Sequence, residues 1–314
     1  DLGISAPLVK AITDLKIVVP TEIQQKTVPI LLSNTTDVVG LAQTGTGKTA
    51  AFAIPILNTL HRIVGSAQKR KNIRTLVVTP TRELAIQIGE SFDTYGKYTN
   101  VRQITIFGGV SQVPQVDQLK KGVDILIATP GRLLDLHKQG FIDLDHLHYL
   151  VLDEADLMLD MGFIDDVKKI ERLCPKSKQI ALFSATMPHK VVELAKTILN
   201  KPEKVDVTPL YATAQGVNQV LYYVPKTKKM ELCLHLLRNT IKGDILIFRR
   251  TKFGVDKLEK MLRKNNFSVA SIHGDKTQDA REEALNRFKN KTVSILIATD
   301  VASRGLDIDN LDAV

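Results

Sequence analysis

The chain has 314 residues, of which 44% are hydrophobic and 25% are charged, a composition of ordinary globular proteins with room for about two domains. No apolar stretch approaches the roughly 20 residues of a membrane helix, and no signal-peptide pattern opens the chain, so we expect a soluble protein without a membrane partner. The net charge of +9 favours a polyanionic partner.

The cysteines and aromatic residues further restrict the class of protein and the kind of nucleic-acid binding to expect. Cys174 and Cys233 lie far apart with no paired spacing, and no Cys/His cluster is present, so we expect free thiols in a reducing, cytoplasmic compartment and no structural metal. Aromatic residues make up 5% of the chain and Trp is absent, which argues against base-stacking modules. Any nucleic acid would then be held through its phosphate backbone, independently of sequence.

The first motif in chain order is a glycine-rich turn at residues 42–49, directly after the apolar run 38–41. Backbone N–H groups of such a turn cradle phosphates, the lysine reaches the β- and γ-phosphates, and the last hydroxyl binds Mg²⁺. The alternative is a plain turn with a surface lysine. We predict a nucleoside triphosphate site formed by Ala42 (where the motif has Gly), Gln43, Thr44, Gly45, Thr46, Gly47, Lys48 and Thr49.

Short apolar runs then alternate with segments of helical period. The runs are 75–79, 104–107, 124–128, 149–152 and 179–183, and the helical segments between and after them include 82–98, 113–121 and 191–200. This alternation predicts a parallel sheet covered by helices on both faces, with ligands at the carboxyl ends of the strands.

A second series of apolar runs follows at 244–248, 269–273 and 294–298. The pentapeptide Ile-Leu-Ile-Ala-Thr occurs at both 125–129 and 295–299, which suggests two related α/β halves. We predict a first domain at 1–206, a linker at 207–216 that contains Pro209 and Gly216, and a second domain at 217–314.

An acidic cluster, Asp153-Glu154-Ala155-Asp156, follows the predicted strand 149–152. An aspartate in that place can hold Mg²⁺, and the adjacent Glu154 can polarise the water that attacks the γ-phosphate. The alternative is an acidic helix N-terminus. Together with the glycine-rich turn, the cluster predicts an ATPase with Lys48, Asp153 and Glu154 as catalytic residues, and Thr49 and Asp153 as Mg²⁺ ligands.

The chain resembles the DEAD-box ATP-dependent RNA helicases over nearly its whole length. The resemblance rests on Asp153-Glu154-Ala155-Asp156 and on further segments in the family's order, which are 20–24, 80–84, 108–109, 129–132, 184–186, 248–251, 273–275, 278–281 and 298–307. It implies two tandem RecA-like domains with parallel sheets flanked by helices, the second incomplete. It also implies ATP-driven binding and local unwinding of RNA.

The resemblance implies two residues around the nucleoside. A carboxamide pairs with N6 and N7 of adenine, so Gln24 in the family's Q motif would select ATP over GTP; the alternative is a capping glutamine near a helix start. Ile17 stands where the family commonly has an aromatic residue. Asp307 would contact the ribose.

Two further sets of residues are implied. Ser184 and Thr186 would bond to the acidic motif through Asp156 and couple nucleotide state to domain closure. Hydroxyls, glycine amides and arginines suit phosphate oxygens, and the implied RNA contacts are Arg82, Gly109, Thr129, Arg132, Thr251, Gln278, Arg281 and Thr299.

The family's arginine-finger segment, His-Arg-Ile-Gly-Arg-Thr-Gly-Arg, does not occur in these 314 residues. We therefore expect a truncated sequence that binds ATP and hydrolyses it poorly. The expected partner is RNA, and any protein cofactors are unknown. We expect the protein to be a monomer. Two other functions remain open: an RNA clamp that never separates strands, and a DNA helicase or translocase with the same ATPase site.

Overall fold

The computed structural model of the chain describes residues 2–33, 35–43, 45–63, 72–208, 217–299, 308 and 311–314, and for Gln278 the backbone only. The chain divides into two units, Asp1–Leu210 and Tyr211–Val314. Of the predicted linker at 207–216, only Val207 and Thr208 are described, and the Val207 N–H donates to the Leu41 carbonyl at 2.9 Å within the first unit. The predicted ligands Thr44 and Asp307 lie outside the described residues.

The first unit contains a parallel sheet of seven strands, in the order β3-β4-β2-β5-β6-β1-β7. All pairs in it are parallel. The strands are β1 (Val38–Leu41), β2 (Thr75–Val78), β3 (Gln103–Ile106), β4 (Ile125–Ala128), β5 (Tyr149–Leu152), β6 (Gln179–Ser184) and β7 (Glu203–Asp206).

Helices connect these strands. They are α1 (Ala6–Asp14), α2 (Glu22–Ser33), α3 (Lys48–Ile63), α4 (Arg82–Tyr95), α5 (Val113–Lys120), α6 (Pro130–Lys138), α7 (Ala155–Asp160), α8 (Ile164–Leu173) and α9 (His189–Ile198). Because side chains alternate along a strand, β2 sends Leu76 and Val78 into one core cluster and Val77 into the other. Helices α5 to α9 cover the first face, and α1 to α4 cover the second. The predicted two-sided parallel sheet is confirmed.

The second unit contains a smaller parallel sheet of three strands in the order β8-β10-β9. Its elements are β8 (Ile245–Arg249), β9 (Val269–Ile272), β10 (Ile295–Thr299), α10 (Lys229–Asn239), α11 (Lys252–Lys264), α12 (Gln278–Lys289) and a 3₁₀ turn at Lys226–Lys228. The repeated pentapeptide forms β4 with the residue after it in the first unit, and the central strand β10 in the second.

Two details differ from the sequence prediction. Helix α4 ends at Tyr95 rather than at residue 98. Strand β7 was not predicted, because only Val205 of its four residues is buried and no apolar run marks it. It is the outermost strand of the sheet and pairs with β1. Among the described residues, no helix is both long enough and apolar enough to cross a membrane.

Candidate active site and nucleic-acid interface

The predicted strand-end motifs of the first unit lie in loops at one edge of its sheet, the edge formed by the carboxyl ends of the strands. Parallel strands end at the same edge, so the loops after β1 to β6 are neighbours. The adjacent strands β5, β6 and β1 lead into the acidic motif, the Ser184–Thr186 motif and the glycine-rich turn; we call these loops the phosphate half. The adjacent strands β3, β4 and β2 lead into the loops with Gly109, Thr129 and Arg82, which we call the arginine half.

The glycine-rich turn joins β1 to the N-terminus of α3. Gly45 and Gly47 have φ of 83° and 88°, values that glycine adopts without the steric cost of a Cβ. The Thr46 hydroxyl donates to the Gln43 carbonyl at 2.7 Å, which closes the turn. Lys48 is the first residue of α3, so the turn offers backbone amides at the positive end of a helix dipole.

Lys48 and Glu154 form a nearly buried ion pair at this site. The Nζ atom of Lys48 lies 2.7 Å from Oε1 of Glu154, and their side chains are 6% and 12% exposed. Glu154 has left-handed dihedrals, φ 55° and ψ 55°, immediately before α7. This conformation costs a non-glycine residue about 1–2 kcal/mol, and residues held in it cluster at functional sites. The turn at Glu154 therefore brings the acidic motif against the glycine-rich turn.

Asp153 is buried beside this pair. Its N–H donates to the Val78 carbonyl at 2.9 Å, and its Oδ1 is buried without a hydrogen-bond partner among the described residues. Burial, and then the negative charge of Glu154, raises the pKa of Asp153 to about 7, while Lys48 acts in the opposite direction. A buried carboxylate with a raised pKa would be stabilised in its charged form by an additional nearby cation.

The residues present fit Mg²⁺. Mg²⁺ in nucleotide sites takes one or two protein oxygens and fills its remaining positions with phosphates and water. Asp153 offers an unpartnered buried oxygen, and Thr49 follows Lys48 in the first turn of α3. Within the described ranges, no group of three or more His, Cys, Asp or Glu side chains is placed to hold a metal ion.

Gln24 connects the start of α2 to the glycine-rich turn. Its Oε1 accepts from the Thr21 N–H at 3.0 Å, the reach-back contact of a helix capping box. Its Nε2 donates to the Gly47 carbonyl at 3.2 Å. The capping role, left open by the sequence, is therefore what these contacts display. One acceptor lone pair and one N–H of the carboxamide are not used in these two bonds.

The structure brings Asp156, Ser184 and Thr186 together. Oδ2 of Asp156 accepts from the Thr186 N–H at 2.9 Å and from its hydroxyl at 2.8 Å. The Ser184 hydroxyl accepts from the Asp156 N–H at 3.2 Å and donates to the Thr186 carbonyl at 2.7 Å. Three of these hydrogen bonds join the end of β6 and the loop after it to the first turn of α7, and the fourth lies within that loop.

The arginine half holds the four candidate RNA contacts of the first unit. Arg82 is the first residue of α4, and its guanidinium packs directly over Gly109, so that a Cβ at Gly109 would collide with it. The Nη2 of Arg132 donates to the Val110 carbonyl at 2.9 Å. Thr129 precedes α6, and its hydroxyl makes no capping bond to that helix. The loop around Gly109 therefore contacts both arginines.

The candidates of the second unit occupy comparable places in its own sheet. Thr251 precedes α11 and accepts from the Gly254 N–H at 3.1 Å. Thr299 is the last residue of β10, and Arg281 lies in the first turns of α12. Gln278 begins α12, and its side chain is outside the described atoms.

Sequence reasoning passed over Gln115 in α5. It is only 8% exposed and bonds to both ends of the loop that contains Gly109. The available signal was an uncharged polar residue beside Val116 on the core-facing side of a predicted helix, which alone does not separate a structural from a functional role.

A covered parallel sheet with a glycine-rich turn after one strand and a buried aspartate after a nearby one is the architecture of the RecA-like class of P-loop proteins. Residues 21–194 match the family model described as DEAD/DEAH box helicase, and residues 228–314 match the helicase conserved C-terminal domain. The chain belongs to the DEAD/DEAH box helicase family.

Two bacterial relatives illustrate the similarity. The chain is 41% identical to a Haemophilus influenzae protein named ATP-dependent RNA helicase DeaD, with all of this chain and 50% of the relative covered. It is also 41% identical to the Geobacillus kaustophilus DEAD-box ATP-dependent RNA helicase CshA, with all of this chain and 66% of that protein covered. The chain thus spans about half to two thirds of the length of these relatives.

Solved structures give the same family. Yeast Dbp5 bound to RNA and ADP–BeF3 matches with a TM-score of 0.85 and 29% identity, over 99% of this chain and 78% of Dbp5. A DEAD-box protein from the hyperthermophile Methanococcus jannaschii matches with a TM-score of 0.62 and 38% identity, over 99% and 82% of the two chains.

Proposed function

We propose that the full-length protein is an ATP-dependent RNA helicase that couples ATP binding and hydrolysis to RNA binding and local duplex unwinding. The observation that carries this proposal is the common sheet edge: the buried Lys48–Glu154 pair lies in the phosphate half, next to the arginine half with Arg82 and Arg132. The names of the bacterial relatives and the RNA-bound yeast neighbour support it.

In this proposal Lys48 exchanges its contact with Glu154 for the β- and γ-phosphates of ATP. The carboxylate of Glu154 is then free to take a proton from water while the water oxygen forms a bond to the γ-phosphorus and the bond to the β-phosphate oxygen breaks. The backbone amides of the glycine-rich turn hold the phosphate oxygens. Gln24 pairs its remaining donor and acceptor with adenine N7 and N6, and Asp307 contacts the ribose.

We propose Mg²⁺ as the cofactor, with Asp153 and Thr49 as its protein ligands. When bound, the ion would neutralise phosphate charge during phosphoryl transfer. The unpartnered Oδ1 of Asp153 supports this assignment.

RNA is held by its backbone in both units. Arg82, Gly109, Thr129 and Arg132 serve in the first unit, and Thr251, Gln278, Arg281 and Thr299 in the second, through guanidinium, hydroxyl and amide groups that suit phosphate and ribose oxygens. The Asp156–Thr186 bonds are the coupling device. We further propose a cytoplasmic monomer; the two free cysteines fit a reducing compartment, and light scattering of the purified protein tests the oligomeric state.

The test is an unwinding assay of the full-length protein on a short RNA duplex, with Lys48→Ala as the inactive control. ATP-dependent strand release by the wild type alone supports the proposal. Tight ATP-dependent RNA binding without release assigns an RNA clamp instead. ATPase stimulation by DNA equal to that by RNA of matched sequence assigns a DNA helicase or translocase.

A further inference from the structure

The loop at residues 107–112, here called the glycine loop, lies between two candidate RNA-binding arginines. Gly109 has φ of 76° and is covered by the Arg82 guanidinium. One residue later, the Val110 carbonyl accepts from Nη2 of Arg132 at 2.9 Å. Both guanidinium positions therefore depend on where this loop lies.

The glycine loop has little apolar anchoring of its own. Gly108 and Gly109 have no side chains, Val110 and Ser111 are exposed, and Phe107 and Gln112 are only partly buried. Because a loop with few buried apolar contacts opens easily, its conformation depends largely on hydrogen bonds.

The side chain of Gln115 supplies bonds at both ends of the glycine loop. Its Oε1 accepts from the Phe107 N–H at 3.3 Å. Its Nε2 donates to the Phe107 carbonyl at 3.1 Å and lies 3.5 Å from the Ser111 carbonyl. Gln115 is 8% exposed, so these bonds compete little with water, and losing them would leave buried polar groups unpaired.

A second, exposed contact joins the far end of the loop to α6. The carboxamides of Gln112 and Gln139 exchange hydrogen bonds at 2.9 and 3.2 Å. Gln139 also donates to Asp135 at 3.0 Å. Since these side chains are open to solvent, their bonds contribute less than those of buried Gln115.

We propose that Gln115 is a positioning residue for RNA binding: it holds the glycine loop so that Arg82 and Arg132 keep the geometry that binds the phosphate backbone, without touching RNA itself. This inference rests on the proposed function. A carboxamide is required, because only it can accept from the Phe107 N–H and donate to two carbonyls at once.

The test compares Gln115→Glu with Gln118→Glu in the full-length protein. Gln118 lies in the same helix, is exposed, and gains the same negative charge, so general repulsion of RNA is matched. Because a glutamate cannot donate to the loop carbonyls, Gln115→Glu should raise the RNA KM of the ATPase about 10- to 100-fold, as expected for a misplaced binding group. The Kd for ATP and the kcat of the ATPase should stay close to those of the Gln118→Glu control.

A double-variant cycle checks the route. In an Arg82→Met background, Gln115→Glu should raise the RNA KM by a smaller factor than in the wild type, because part of its effect passes through Arg82 and residues that act through one contact are not additive. A folded Gln115→Glu protein with the RNA KM of the control overturns the proposal, as does full additivity with Arg82→Met. Should Gln115→Glu not fold, Gln115→Met replaces it and the same outcomes apply. If RNA neither binds the wild-type protein nor stimulates its ATPase, the proposed function itself is wrong. That outcome is distinguishable from a failure of the Gln115 proposal alone.

Discussion

The Nζ of Lys48 lies 2.7 Å from Oε1 of Glu154, although the two residues are 106 positions apart in the chain. This bond connects the start of α3 to the residue before α7, and both side chains are nearly buried. The lysine proposed for the phosphates and the acid proposed for the attacking water are thus each other's partner.

Replacing Glu154 by Gln should separate binding from chemistry. The amide cannot take the proton of the attacking water, so kcat of the RNA-stimulated ATPase should fall by about 10²–10⁴-fold. ATP should bind as well or more tightly, because a negative charge next to the triphosphate is removed. Steady-state ATPase rates and nucleotide titrations measure both, with the exposed Glu193→Gln as control. Equal turnover by wild type and variant would rule out Glu154 as the base.

Gly47→Ala and Gly45→Ala form a matched pair in the glycine-rich turn. Both glycines have positive φ, so each alanine should destabilise the turn by about 1–2 kcal/mol. A Cβ at Gly47 would also collide with the Gln24 amide, whereas at Gly45 it would meet open space. The preference for ATP over GTP should therefore fall only in Gly47→Ala. Competition between ATP and GTP for binding measures this preference. Equal selectivity of the two variants would show that Gln24 does not select the base.

Thr186→Val should weaken the link between nucleotide and RNA. The change removes the hydroxyl that donates to Asp156 at 2.8 Å but keeps the backbone bond, so stability should fall by only about 1 kcal/mol. The ratio of ATPase rates with and without RNA should drop, while Thr186→Ser should retain it. If valine and serine leave the same ratio, the hydroxyl plays no part in coupling.

The two thiols should differ in reactivity toward a thiol reagent. Burial raises the pKa of Cys174 to about 12, and burial also raises the pKa of Cys233. A raised pKa means less thiolate at neutral pH, so both should react slowly, and each rate should rise about tenfold per pH unit below the pKa. Cys233 is the more exposed and should be labelled first. Peptide mapping by mass spectrometry after timed labelling distinguishes the sites; faster labelling of Cys174 in the native state would contradict its burial.

The strands and their common edge could be predicted because buried parallel strands have continuous apolar sequences. The runs at 124–128 and 149–152 correspond to β4 and β5 within a residue. The order of strands could not be predicted, since it depends on packing between distant segments. Strand β7 lacked an apolar run because at an edge only Val205 needs burial.

Residue types in the site were predictable where their chemistry is distinctive, and their partners were not. Nothing local in the sequence indicates that Lys48 pairs with Glu154, or that the Gln24 amide bonds to Gly47. These contacts arise from the tertiary arrangement of β1, β5 and α2. Gln115 was missed for the same reason, because the sequence around a single polar residue in a helix does not indicate which loop its side chain contacts.

The left-handed backbone at Glu154 has a consequence for attempts to make this protein more heat-resistant. Glycine adopts that conformation freely, so Glu154→Gly would relax the backbone by roughly 1 kcal/mol. It would also leave the nearly buried ammonium of Lys48 without its partner, and an unpaired buried charge costs more than that gain. Selection for thermal resistance should therefore keep the acid at position 154, although the backbone there suits glycine.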